Sequence, residues 1–238
     1  MRNMRNHFKQ IGHWNIAGLL ALAFASVGSA QYTIDLTGVG DGASADGVYV
    51  SPYWGTITEN GSPIYTGYLI CDDFNTDSSL DDPTSADATN AGALDGDQKF
   101  TAASYSDPFN AGDTFTDQQA YDAVAWLANG LLASSNVTNP IAQTNYSFAI
   151  WDIFDGQALD PDGGAASLIA QAFSAVSAGY VGSDTTVFTP NPLNASQEFL
   201  VVSTPESSLP ATLAVELSAL VGVFFLMRRR LVRTGAAR

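Results

Sequence analysis

The sequence predicts an α+β domain, either a β-sandwich or a partly closed barrel, carrying a helical insert. Three observations predict it. Alternating apolar and polar residues dominate the stretch after residue 30, an apolar period near that of a helix replaces them between Thr116 and Ala178, and two short strands return before residue 203. No internal repeat is visible. The chain is long enough between its two apolar ends to bury one core.

Tyr32-Thr33-Ile34-Asp35-Leu36 alternates as a half-buried strand does. Gly47 to Thr58 reads as one or two strands, and Asn60-Gly61-Ser62-Pro63 as a turn. Pro63 to Cys71 is then the returning strand of a hairpin. Asn75 to Gln98 is rich in Asp, Ser, Thr, Ala and Gly, and reads as a long acidic loop. Thr116 before Asp117 offers an N-cap, and Tyr121, Val124, Ala125, Leu127 and Leu131 fall on one face of the helix that follows. Asn145 to Phe154 reads as a second, buried helix. Ala165 to Ala178 reads as a third, with Leu168, Ile169, Ala172, Phe173 and Val176 inward. Thr185 to Thr189 and Glu198 to Val202 read as closing strands.

Hydrophobic segments bracket this domain. Arg2, Arg5 and Lys9 precede an apolar stretch from Ile16 to Ala25, and Gly28 and Ala30 supply small residues. That is the pattern of a secretory signal over residues 1–30, cut between Ala30 and Gln31. At the other end, Thr204-Pro205-Glu206-Ser207-Ser208 leads into an apolar run from Leu209 to Met227, then Arg228-Arg229-Arg230 and a basic tail to Arg238. About 19 residues at ~1.5 Å each just cross a ~30 Å hydrocarbon core. The arginines would hold the C-terminus on the cytoplasmic side. The expected organisation is therefore a signal over 1–30, an exported domain over 31–203 and a membrane-anchoring tail over 204–238.

The tail resembles the PEP-CTERM sorting signal of Gram-negative bacteria, in which a Pro-Glu-Pro box, one hydrophobic helix and a basic terminus follow one another. Here Pro205, Glu206 and Ser207 stand at the box, with Ser207 where the family has Pro, and Glu216 lies inside the apolar run. The resemblance implies an exosortase, a membrane cysteine protease-transpeptidase, as the processing partner after the secretion machinery. It also implies passage from the inner membrane to the cell surface or extracellular matrix. An uncut single-pass anchor is the alternative.

With the ends set aside, residues 31–205 hold 22 Asp or Glu against one base, Lys99. Such a surface repels polyanions, which excludes nucleic acid as a partner. Both histidines, His7 and His13, lie before residue 31. The domain therefore lacks the imidazole that Ser-His-Asp and Cys-His catalysis require. One cysteine, Cys71, makes neither an intrachain disulfide nor a thiolate metal cluster.

Two motifs remain. Ile70-Cys71-Asp72-Asp73-Phe74 ends a predicted strand, and Tyr146-Ser147-Phe148-Ala149-Ile150-Trp151-Asp152 lies on a predicted helix. Together they resemble the thioester domains of bacterial surface adhesins. In those domains a cysteine sulfur displaces ammonia from a glutamine amide, and the internal thioester then acylates an amine. Cys71 matches the cysteine and Ala149-Ile150-Trp151 the residues after the glutamine, whose own place is taken by Ser147. Serine has no acyl carbon, so the thioester is not expected to form. Gln143, one helical turn earlier, is the nearest substitute donor.

The bland readings are a buried apolar Cys71, a core Trp151, and Asp72 and Asp73 that cap a turn or bind a cation. Asp160-Pro161-Asp162-Gly163-Gly164 resembles half a calcium loop, with Asp160 and Asp162 as candidate ligands but without the closing glutamate. The expected role is non-catalytic and structural or adhesive, with exopolysaccharide or another matrix component as partner, no catalytic residues and no resident cofactor. The alternatives are a calcium-dependent carbohydrate-binding module and a polysaccharide hydrolase built on paired carboxylates.

Overall fold

A computed structural model of the chain describes residues 31–203 apart from 103 and 110–113. The secretory signal, the box at Pro205, Glu206 and Ser207, the apolar run and Arg228 to Arg230 lie outside the described residues. Among the described residues no helix is long and apolar enough to cross a membrane.

Six antiparallel strands close a barrel in the order β1 (Tyr32–Gly38), β4 (Tyr53–Glu59), β5 (Ser62–Cys71), β10 (Phe199–Val202), β9 (Thr185–Pro190) and β6 (Thr84–Asn90). Two short hairpins flank it: β2 (Ser44–Ala45) with β3 (Val48–Tyr49), and β7 (Tyr105–Ser106) with β8 (Thr114–Phe115). Three helices, α1 (Asp117–Leu131), α2 (Pro140–Asp155) and α3 (Ala165–Ser177), are inserted between β8 and β9. The α+β reading with a helical insert holds. The barrel is fully closed, where the sequence left a sandwich or a partly closed barrel open.

Closure comes from a segment that the sequence presents as loop. β6 reads Thr-Ser-Ala-Asp-Ala-Thr-Asn, yet it pairs with β1 through Tyr32↔Ala86 and with β9 through Ala88↔Phe188. Ala, Asp and Asn are poor strand formers. What selects the strand here is a ladder on each side, with the small Ala86 fitting under the barrel wall. The other elements follow local chemistry more closely. β4 turns into β5 at Asn60-Gly61, both at positive φ (50° and 80°), as a two-residue hairpin needs. α1 begins with a capping box between Thr116 and Gln119. α2 begins five residues before the expected Asn145, with Asn139 accepting the N–H groups of Ile141 and Ala142 and Pro140 in the first turn.

Two cores share one wall. Inside the barrel pack Ile34, Leu36, Tyr53, Ile57, Leu69, Cys71, Phe188, Phe199 and Val201. Ile70, Val187, Leu200 and Val202, on the opposite faces of the same strands, join the helical core of Tyr121, Leu127, Leu131, Phe148, Ile150 and Ile169. Side chains alternate along a strand, so the β5–β10–β9 wall must be apolar on both faces. The unbroken run Phe199-Leu200-Val201-Val202 reflects that.

β4 crosses β1 and β5 too closely for a side chain at Gly55. An added Cβ would meet Leu69 Cδ1 at 2.6 Å and the Asp35 carbonyl at 2.7 Å. Gly55→Ala is expected to lower unfolding free energy by ~1–3 kcal/mol in urea titration, with an unchanged slope.

Candidate functional site

The site forms where β5 runs out against α2. Trp151 on α2 donates its indole N–H to the Cys71 carbonyl at 3.0 Å. Phe74 packs on Trp151 with ring centroids 5.2 Å apart, and Phe148 lies 5.1 Å from Trp151. The two motifs singled out in the sequence, 80 residues apart, therefore meet. Ser147 sits one turn before Trp151, fully buried, and joins Cys71 through a residue that the sequence did not mark. Ser51 donates its N–H to Ser147 Oγ at 2.9 Å, and its own Oγ accepts the Cys71 N–H at 3.0 Å. Ala149 and Ile150 are packed in the helical core.

Cys71 is a free, buried thiol. Its Sγ donates to the Asp73 carbonyl at 3.1 Å. Burial pushes the thiol well above its ordinary range, and the neighbouring Asp72 acts in the same direction. A thiolate is the nucleophile in sulfur chemistry, so this environment quiets Cys71. Gln143 does not reach it. Its amide donates to the Val137 carbonyl at 2.6 Å and holds the loop between α1 and α2.

Register places a second buried group beside the first. Phe199 pairs with Cys71 and Leu200 with Ile70, so the antiparallel ladder sets Glu198 opposite Asp72. Both are sealed from solvent between the barrel wall and the helices. Glu198 accepts the Tyr121 hydroxyl at 2.5 Å, the Lys99 N–H at 3.0 Å and the Thr189 hydroxyl. Among the described residues no N–H or O–H donor from a side chain or from another residue reaches either Asp72 oxygen, and what faces Asp72 is the Glu198 carboxyl. Burial first, then the charges of Glu198 and Asp73, raise Asp72 well above the carboxylate range. Burial raises Glu198 too, but its three donors work against that. Asp72 is therefore the member of the pair that burial and its neighbours favour in the protonated form, with Glu198 as the group facing it. The sequence offered one hint, an acid at the head of an otherwise apolar strand.

Asp73 has other partners. One oxygen accepts the Asn75 N–H at 3.1 Å in a turn, and the other pairs with Lys99. Asp152 and Asp155 at the end of α2 are raised by burial to about 7 and about 6. Asp160 accepts the Ala165 N–H at 2.8 Å at the start of α3, a capping role. Among the described residues no group of three or more His, Cys, Asp or Glu is placed to hold a metal ion. A groove of about 330 Å³ opens beside Trp151, walled by Tyr49, Tyr53, Phe74 and Leu80, with Asp77, Ser78 and Gln197 at its rim.

No protein-family model and no curated protein matches the chain. Among solved structures it is similar to the N-terminal thioester domain of a surface protein from Clostridium perfringens, at 10% identity and a TM-score of 0.38, over 73% of this chain and 98% of that one. A likeness of that size establishes no relationship between the two.

The shared proton sets a pH dependence. A carboxyl raised in the folded state contributes stability that is full below the ordinary Asp range and is lost as pH rises toward the raised value, by up to ~1.4 kcal/mol per unit. Asp72→Asn keeps a donor toward Glu198 without titrating. Wild type is therefore expected to lose stability more steeply than the variant between pH 4 and 8 in parallel urea titrations. Curves that stay parallel would show that Asp72 holds no proton.

Proposed function

We propose that the protein is an exported module that acts at the cell surface or in the extracellular matrix by structure or adhesion, without catalysis, after exosortase removal of its tail. One observation carries the non-reactive part of this reading. Ser147 occupies the place of an acyl donor and is tied through Ser51 to Cys71, a buried thiol that is engaged with the Asp73 carbonyl. The near −21 charge of residues 31–205 suits a soluble module that avoids anionic polymers. Basic or neutral matrix components are then its partners. The Asp72–Glu198 pair is sealed, so a polysaccharide could not use it as an acid-base pair. The exposed Trp54, set edge-on to Tyr68 at 5.2 Å on the outside of the barrel, favours carbohydrate binding as a second reading.

Two outcomes test the proposal. Replacing Pro205 and Glu206 by Ala in an exosortase-bearing host is expected to leave a longer, membrane-retained species. Identical fractionation of mutant and wild type would make the tail a plain anchor. Because Cys71 is buried and its thiol raised, neither wild type nor Ser147→Gln, which puts an amide at the mapped acyl-donor position, is expected to release ammonia, a loss of about 17 Da. A wild-type chain that already shows this loss would contradict the non-reactive reading.

A further inference from the structure

Lys99 is the one lysine or arginine between Lys9 and Arg228. A lysine retained to offset an acidic surface would stand in solvent. This one is withdrawn, its side chain 12% exposed, and it contacts Asp73, which is 1% exposed. Both partners are held in place. Lys99 Nζ donates to Thr76 Oγ1 at 2.6 Å and to the Ser196 carbonyl at 3.4 Å, while the Lys99 backbone N–H is fixed on Glu198 at 3.0 Å. Asp73 is fixed by the Asn75 N–H on its other oxygen.

A third group stands by. Asp155 accepts the Asn75 side-chain amide at 2.6 Å on Oδ1, while its Oδ2 is buried without a partner. It is near enough to Asp73 and Lys99 for both to shift its titration. Burial and then Asp73 push it up, Lys99 pulls it down, and it ends at about 6. It can take and return a proton near neutral pH.

We propose that Lys99 and Asp73 condense into an intramolecular amide between Lys99 Nζ and Asp73 Cγ, a self-formed cross-link from the end of β5 to the segment after β6. The step balances without a cofactor or an oxidant. One proton passes from Nζ to the Asp73 carboxylate, leaving an amine beside a carboxylic acid. The nitrogen lone pair attacks Cγ. The bond from Cγ to the hydroxyl oxygen breaks, and that hydroxyl leaves as water with a second Nζ proton carried by Asp155. The fold supplies the high effective concentration that makes amide formation competitive in water. The product also removes two buried charges whose desolvation is costly.

Because Lys99 is the lone tryptic site between residues 9 and 228, the test is direct. The full-length gene is expressed, and the purified protein is denatured and digested with trypsin. An amide at Nζ blocks cleavage after Lys99. The expected result is one uncut piece carrying residues on both sides of Lys99, lighter than its sequence by one water, about 18 Da, with a deficit that methylamine does not reverse. Lys99→Arg is expected to be cut at the same place and to show no deficit. Two wild-type pieces divided after Lys99, each of full sequence mass, would overturn the proposal. Loss of ammonia reversed by methylamine would instead mark a thioester, so the two chemistries fail separately.

Discussion

The domain depends on one wall of the barrel being packed on both faces. β5, β10 and β9 present Leu69, Cys71, Phe188, Phe199 and Val201 to the barrel interior, and Ile70, Val187, Leu200 and Val202 to the helices. Neither half could bury its core alone. The barrel would expose an apolar outer wall, and the three helices would lose the surface against which Tyr121, Phe148 and Ile150 pack. Insert and barrel are thus one cooperative unit, although the sequence presents them as successive blocks.

The alternation that builds the wall also decides the fate of its polar residues. Cys71 faces the barrel core and behaves as a small apolar side chain. Asp72, its neighbour, is turned toward the helices, where it faces Glu198. A sealed carboxyl pair is tolerable when one member holds a proton and the other is saturated with donors. Tyr121, Thr189 and the Lys99 N–H supply those donors from α1, β9 and the segment after β6. The pair therefore ties three parts of the fold to the end of β5, beside the hydrogen bond from Trp151 to Cys71.

Elements with strong local chemistry were legible in advance. Asn60-Gly61 marks its hairpin, Thr116 and Gln119 mark the start of α1, and Ile169, Ala172 and Phe173 mark the inner face of α3. β6 was not legible, because Ala, Thr and Asn become a strand there only when β1 and β9 are already in place. The start of α2 was present as Asn139-Pro140, a cap and a first-turn proline that apolar periodicity passes over. The meeting of Cys71 with Trp151 was legible from motif resemblance. Ser51 and Glu198 were not, because their roles depend on strand register, which sequence pattern alone does not set between distant strands.

The burial of the Cys71 thiol and the packing of the helices on the barrel have one source in the shared wall. The most direct measurement of that claim is a thiol count on the purified, unfolded protein, with and without prior exposure of the folded protein to methylamine. One reactive thiol per chain is expected in both cases, and none while the protein is folded. A thiol that appears only after methylamine would mean that Cys71 is an acyl carrier and not an inert side chain of the wall.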